Sequence, residues 1–524
     1  MRTIFLLALA WLLPFLLAGQ EPSGNLHMAA LQGDAGAAES LIRAGADLNA
    51  KDAYGSTPLN VAVTFDKPEV ARLLLEAGAD PGITNNEGST PLHVAALFGY
   101  QELARILLEN GADPNALTQN GGRPYDIAAG PLARDKPILD QLAAGLAPLG
   151  FQLDYPTLIE GRKAIATMLR AASVDLAPVD YAPLDRPDWP VSTPKAEGLD
   201  PVLVAELYRD AARSKNLYSL LIVKNGKLVA EGYFNNGGVD HYNRLASVTK
   251  SVTSALTGLA LQRGELKSAD QRLLDFFPEM KGEVADPRKA DITIRQLLQM
   301  RGGYPWEETD TALWAGLLSG YYVPIIETFP LVADPGAAFN YSNLSSNWLG
   351  MIIDRASGMR LRDYAIDHLF EPMDIQPGEW GTDAEGHNNG CANLHLRSRD
   401  MAKFGLLYLN EGSWDGDQLL PADWVAASLA QYSPDAWVAL PPQQFVGRHF
   451  NDLNYGYQWW TATTGGRTYP FAWGHGGQLI VLLEDQDMVI VATSDPYFLQ
   501  HDAESWQMEQ LTFNIVGKFL QLLP

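Results

Sequence analysis

Cysteine is almost absent: Cys391 stands alone in a chain of 524 residues. One thiol excludes an intrachain disulfide framework and a cysteine-rich zinc site. It reads as a small buried hydrophobe, and its isolation fits an oxidising compartment. Positive charge is also short, with 38 lysines and arginines against 62 aspartates and glutamates and a formal net charge of −24. A nucleic-acid surface needs a basic patch, so no nucleic-acid partner is expected. Charged residues make up 19% and hydrophobic residues 47%, which suits large cores and argues against extensive disorder. No H-E-x-x-H, paired-cysteine or glycine-rich phosphate motif occurs, so no metal and no cofactor is expected. At this length two or more domains are expected.

Long apolar runs are missing after the N-terminus, so no stable membrane insertion is expected beyond it. Arg2 precedes an apolar stretch from Ile4 to Leu17, followed by Ala18-Gly19 and polar Gln20-Glu21. A charged start, a short apolar core and small residues at the exit describe a secretory signal peptide over 1–19. A secreted or periplasmic protein is therefore expected, with an uncleaved anchor as the alternative. A lipoprotein signal would need a cysteine where Gln20 stands.

What is present before residue 150 is repetition. Gly45-Ala46-Asp47, Gly78-Ala79-Asp80 and Gly111-Ala112-Asp113 recur every 33 residues. Thr57-Pro58-Leu59 and Thr90-Pro91-Leu92-His93 keep the same step, Pro124 continues it, and Leu26-His27 anticipates it. Thr-Pro opens a helix, with proline tolerated in its first turn. Gly-Ala-Asp closes one, with glycine at positive φ. The pattern resembles the ankyrin repeat, about four copies over 24–147. That resemblance implies an all-α solenoid and a protein-binding surface, with a stabilising prop for the rest of the chain as the other reading.

Residues 148–195 read as a proline-rich linker, with a short helix near Gly161–Ser173 and an extended strap after it. From 196 to 524 the pattern is mixed. A helix is expected from Val202 to Ala212, and a strand from Tyr218 to Val223 turns at Asn225-Gly226. Paired strands are expected at Leu479–Glu484 and Met488–Thr493, and a last helix from Ser505 to Leu522. Strands at both ends with helices between them predict one antiparallel sheet plus a helical subdomain, an α+β fold.

The chemistry concentrates in three short motifs. Ser247-Val248-Thr249-Lys250 places a hydroxyl and an amine on one helical face. A serine hydroxyl needs a base beside it to be a nucleophile, and a buried lysine with a lowered pKa can supply one. Tyr341-Ser342-Asn343 and His475-Gly476-Gly477 follow in that order. Together with Ile292–Met300 and Ser398–Gly405, these motifs resemble the serine β-lactamase and penicillin-binding-protein superfamily, in its class C and esterase-like branch, over about 200–522. The resemblance implies catalytic roles for Ser247 as nucleophile, for Lys250 as a proton acceptor or a group that lowers the pKa of a neighbour, and for Tyr341 as general base and acid, taking the Ser247 proton and passing it to the leaving group. It implies substrate-orienting roles for Asn343, His475, Gly476 and Gly477, and an oxyanion hole from the backbone N–H groups of Ser247 and Gln478. A phenol beside Lys250 should lose its proton more easily. The two glycines should let a substrate approach the backbone closely.

His475-Gly476-Gly477 stands where penicillin-recognising members carry Lys-Thr-Gly, which lessens the case for β-lactam hydrolysis. The expected protein is thus a secreted serine hydrolase acting on a small ester or amide, with an ankyrin module for a protein partner. The alternatives are an ankyrin binding protein with an inactive hydrolase fold, and a cell-wall peptidase or β-lactamase. Trp314, Tyr321, Tyr322, Tyr457, Trp459 and Trp460 are expected either to line an apolar pocket or to pack in the helical part, and Arg301–Trp306 to border the cleft.

Overall fold

The computed structural model describes residues 25–119, 122–130, 132–149, 151–172, 179–280, 282, 284–317, 325–436, 446–447, 449–498 and 504–523. The expected signal peptide at 1–19, and Tyr321 and Tyr322, lie outside them. The chain divides into two compact units, Met1–Pro178 and Val179–Pro524.

The first unit is helical. Four helix pairs follow one another: Leu26–Gln32 with Ala35–Arg43, Pro58–Thr64 with Pro68–Glu76, Pro91–Phe98 with Gln101–Glu109, and Pro124–Ala128 with Leu132–Leu146. Gly45, Gly78 and Gly111 take φ of 83°, 97° and 81°, closing the second helix of each of the first three pairs. The repeat also sets the bonds between neighbours. His27 Nε2 lies 3.0 Å from Ser56 O, and its counterpart His93 lies 3.1 Å from Gly122 O. At the equivalent position of the intervening repeat, Asn60 Nδ2 donates to Ile83 O at 3.2 Å.

The helical unit runs further than the sequence suggests. Tyr155–Ala172 is an 18-residue helix, longer than the short one expected inside the linker. It buries Leu158, Ile165 and Leu169 and packs on the helices of the last two repeats. Gly161 permits that packing, because a Cβ there would meet Gly99 O at 1.9 Å. The linker of 148–195 is thereby corrected: its first half belongs to the solenoid unit, held by apolar burial, and its last part to the second unit. There Leu228 N donates to Pro190 O and Glu231 N to Tyr181 O, both at 2.9 Å.

The second unit is built on an antiparallel sheet. Its strands are β1 (Leu217–Lys224), β2 (Lys227–Tyr233), β7 (Asn451–Tyr455), β8 (Trp460–Thr464), β9 (Arg467–Gly474), β10 (Gln478–Leu483) and β11 (Met488–Ser494). Short β3 (Asn243–Arg244) pairs with β4 (His395–Leu396), and β5 (Ser413–Trp414) with β6 (Asp417–Gln418). The large sheet runs β2-β1-β11-β10-β9-β8-β7. The N-terminal hairpin therefore pairs β1 with the last strand, whose partner the sequence spacing could not name.

Both faces of this sheet are covered, so its central strands are apolar throughout rather than alternating. Ile480, Leu482, Val489 and Val491 face one core with the helices Thr249–Gln262, Asn343–Ser357 and Ser398–Leu409. Leu479, Val481, Ile490 and Ala492 face the other, beneath Pro201–Ala212 and Glu504–Leu522. Gly405 lets its helix lie close to the sheet, since a Cβ there would meet Val489 Cγ1 at 2.7 Å.

Candidate active site

Ser247 sits in a single 3-10 turn, Ala246–Val248, that leads into the helix Thr249–Gln262. Ala246 holds φ of 45°, a left-handed conformation costly for a residue with a Cβ. The turn is clamped by its neighbours. Leu245 N donates to Leu394 O at 2.9 Å, and Thr253 Oγ1 to Gly390 O at 2.8 Å.

Lys250 lies one turn on and is 1% exposed. Its Nζ is 2.8 Å from Ser247 Oγ, 2.8 Å from Asn343 Oδ1 and 3.0 Å from Cys391 O. An ammonium has three N–H donors, and these are three acceptors for them. Burial pushes the Lys250 pKa below its ordinary value, partly offset by the negative charges of Glu308 and Glu307. Once neutral, the amine has a lone pair beside the Ser247 hydroxyl.

Tyr341 covers this pair. Lys250 Nζ lies 4.9 Å from the centroid of its ring, and its hydroxyl bonds to Ser247. The ring stacks on Trp460 at 5.6 Å and meets Trp306 edge-on at 6.5 Å. The expectation of an easily ionised phenol is corrected here. Burial holds the Tyr341 pKa well above 10; the Ser247 hydrogen bond lowers it, and Glu308 raises it further. Between the two groups, the shifts favour Lys250 as the proton acceptor and Tyr341 as a neutral proton carrier.

Asn343 is the first residue of the helix Asn343–Ser357. The residue that fixes this helix start has no signal in the sequence motif. Glu307, fully buried, accepts from Ser342 Oγ at 2.7 Å, Asn343 N at 2.9 Å and Leu344 N at 3.2 Å. It satisfies amides that a helix start leaves without partners. Glu308, exposed beside it, accepts from Asn343 Nδ2 at 2.8 Å, which leaves Oδ1 for Lys250. Asn347, one turn after Asn343, holds Cys391 N at 3.1 Å. Cys391 thus enters the site through its carbonyl, while its thiol is buried as expected.

His475-Gly476-Gly477 forms the turn between β9 and β10, directly before Gln478 opens β10. The Cβ side of both glycines is filled by protein. Gly476 and Gly477 have φ of 85° and 91°, and Cβ atoms there would meet Pro496 Cα at 2.6 Å and Thr512 Cβ at 2.9 Å. They make a left-handed turn packed against the protein. The close approach is made by Gly474, where a Cβ would strike Leu245 O at 2.2 Å and would lie 3.1 Å from both Ser247 N and Gln478 Cβ. Gly474 thereby brings Ser247 and Gln478 together. The Gln478 side chain is buried and donates to Ser494 O at 2.7 Å.

The exposed His475 is held from below by Glu509, whose Oε2 is 3.0 Å from Nδ1. Glu509, itself buried, also accepts from Trp473 Nε1 at 2.6 Å and Gly476 N at 2.9 Å. Burial lowers the His475 pKa, but the hydrogen bond and charge of Glu509 outweigh it and the net shift is upward.

Of the aromatic residues singled out, Trp460 packs beneath Tyr341, while Trp459 stacks on Phe404 in the core. Tyr457 is buried and Trp314 is 37% exposed. Arg301 ties its loop to Asp435 at 2.8 Å, and Trp306 reaches Tyr341. Among the described residues, no group of His, Cys, Asp and Glu side chains could hold a metal ion, and no helix is long and apolar enough to cross a membrane.

The family model described as Beta-lactamase matches residues 218–507, which carry every one of these groups except Glu509. The chain belongs to the β-lactamase family. A model for ankyrin repeats (3 copies) matches residues 26–118. The protein is a β-lactamase-fold hydrolase with ankyrin repeats. The 6-aminohexanoate-dimer hydrolase of Paenarthrobacter ureafaciens is 25% identical over 287 residues, 53% of this chain and 72% of that protein. Protein flp of Staphylococcus aureus strain MW2 is 30% identical over 168 residues, 30% of this chain and 33% of that protein. A penicillin-binding protein homolog from Caulobacter crescentus has a similar structure, with a TM-score of 0.45, 16% identity, and coverage of 64% of this chain and all 100% of its own.

Proposed function

We propose that the protein is a secreted serine hydrolase that forms an acyl-enzyme on Ser247 and hydrolyses an ester or amide, its ankyrin repeats binding a protein partner. The observation that carries the reading is the 2.8 Å contact between Lys250 Nζ and Ser247 Oγ in a site where the lysine is almost wholly buried. Neutral Lys250 takes the Ser247 proton as Oγ attacks the carbonyl carbon. The negative charge that develops on the carbonyl oxygen is met by the N–H groups of Ser247 and Gln478, two residues that both lie against Gly474. Tyr341, neutral and bonded to Ser247, gives its phenolic proton to the leaving group and takes in exchange the proton held by Lys250, which returns to the neutral amine. Water then attacks the acyl-enzyme by the reverse proton path, and Ser247 is regenerated.

The 25% identity to a 6-aminohexanoate-dimer hydrolase adds weight to amides as substrates. His475 and Gly476, in place of lysine and threonine, weigh against β-lactams. The test is a panel of esters, linear amides and a cephalosporin, with mass spectrometry of the quenched protein. The expected result is turnover of an ester or amide with transient acyl mass on the peptide containing Ser247. Equal or better turnover of the cephalosporin would contradict the reading of His475.

A further inference from the structure

A cavity of about 1090 Å³ opens in the second unit. Three of its lining residues adjoin site groups. Arg244 is three residues before Ser247, Asn393 is two after Cys391, and Pro496 packs against Gly476. The other walls include Tyr242, Trp380 and Tyr497, which give the cavity aromatic faces around Arg244.

Arg244 is fixed in place without being neutralised. Its Nε donates to Asn393 Oδ1 at 2.8 Å, and Nη2 reaches the same oxygen. Nη1 bonds to the Tyr497 hydroxyl, and the guanidinium lies 4.8 Å from the Tyr497 ring centroid. Every partner is neutral: no carboxylate of the described residues forms an ion pair with Arg244. Asp495 and Glu379 also line the cavity, but Asp495 Oδ1 is engaged by Tyr497 N at 2.9 Å, and Glu379 is exposed. Arg362 adds a second cation to the wall. Three of the five N–H groups of Arg244 are used by Asn393 and Tyr497, leaving a rigid, half-buried fork with donors to spare.

A planar cation oriented by neutral groups, and half out of water, is suited to a planar anion. We infer that this cavity is an arm of the substrate site, and that the ester or amide cleaved at Ser247 carries a carboxylate that docks on Arg244. The inference rests on the hydrolase reading above and names its substrate class. No covalent step is added: the carboxylate is held and released unchanged.

The experiment compares matched 4-nitrophenyl esters, glutaryl against pentanoyl, and matched butanoyl esters of 4-hydroxybenzoate and 4-hydroxybenzamide. The first pair places the carboxylate on the acyl side and the second on the leaving group. The readout is the ratio of kcat/KM within each pair, which cancels any general loss of activity. In the native protein at least one ratio should favour the carboxylate by about tenfold or more, chiefly through KM, and should shrink as salt is raised. Arg244→Gln should bring that ratio near one, and Arg244→Lys should keep part of it. Ratios near one in both pairs, or a preference that survives Arg244→Gln, would overturn the subsite while leaving the hydrolase intact. A folded protein that cleaves none of the four esters would overturn the hydrolase reading and this inference together.

Discussion

Glu509, on the C-terminal helix, places Oε2 3.0 Å from Nδ1 of His475. This contact decides the protonation of the only ionisable side chain in the β9–β10 turn. His475 has its pKa raised in the folded state, so its contribution to stability is full below the ordinary value of 6.5 and is lost as pH rises through the folded value. Glu509→Gln removes the charge that opposes burial. Followed by NMR, the His475 imidazole should titrate above 6.5 in the native protein and at lower pH in the variant. Titration at the same pH in both proteins would refute the pairing.

Lys250 should set the basic requirement of the reaction. Its pKa is lowered by burial, so the neutral amine is available at lower pH than an ordinary lysine allows. The expected kcat/KM for a neutral ester rises with pH through an apparent pKa below 10.5 and then levels off. Lys250→Arg keeps the charge but cannot lose its proton, and should reduce kcat by roughly 10²–10⁴. A variant with native-like activity would remove Lys250 from the mechanism.

Glu307 carries a structural prediction with a functional consequence. Glu307→Ala leaves Ser342 Oγ, Asn343 N and Leu344 N without their buried acceptor. Loss of about 1–3 kcal/mol of stability is expected in denaturant unfolding. Asn343 would also be released from its place beside Lys250, so activity should fall further than stability alone explains. Unchanged unfolding would show that water replaces the carboxylate.

These three residues mark where the sequence was legible and where it was not. Ser247, Lys250, Tyr341 and Asn343 could be read because their spacing belongs to short motifs. The solenoid could be read because Gly45-Ala46-Asp47, Gly78-Ala79-Asp80 and Gly111-Ala112-Asp113 recur every 33 residues, and Thr57-Pro58-Leu59 and Thr90-Pro91-Leu92 keep the same step. Glu307 and Glu509 could not, because a buried glutamate looks like a surface one until its distant donors are known. Gly474 was hidden by the two glycines beside it, whose positive φ values serve the turn. The helix Tyr155–Ala172 was obscured by the prolines that follow it, although its buried Leu158, Ile165 and Leu169 carry the helical period.

The ankyrin unit should be sensitive to acid through His93. The side chain is 1% exposed, Nδ1 accepts from Thr90 N at 3.1 Å, and Nε2 reaches Gly122 O. Accepting from Thr90 N requires the neutral ring. Burial lowers its pKa below 6.5, partly opposed by the Gly122 hydrogen bond, so the unfolded state binds the proton more readily. Stability from this group is therefore full above about 6.5 and lost as pH falls from there toward the folded value. Thermal unfolding of the full chain should show a helical transition that weakens across this range and is less pH-dependent in His93→Asn. Equal dependence in both proteins would assign the effect elsewhere.

The most direct measurement of the central claim is labelling of the full chain by a fluorophosphonate probe, with the modified peptide identified by mass spectrometry. One phosphonyl adduct on Ser247 is expected, formed faster as pH rises, slowed strongly in Lys250→Arg, and absent in Ser247→Ala. A folded protein that remains unlabelled, or that is labelled at another residue with Ser247 intact, would contradict it.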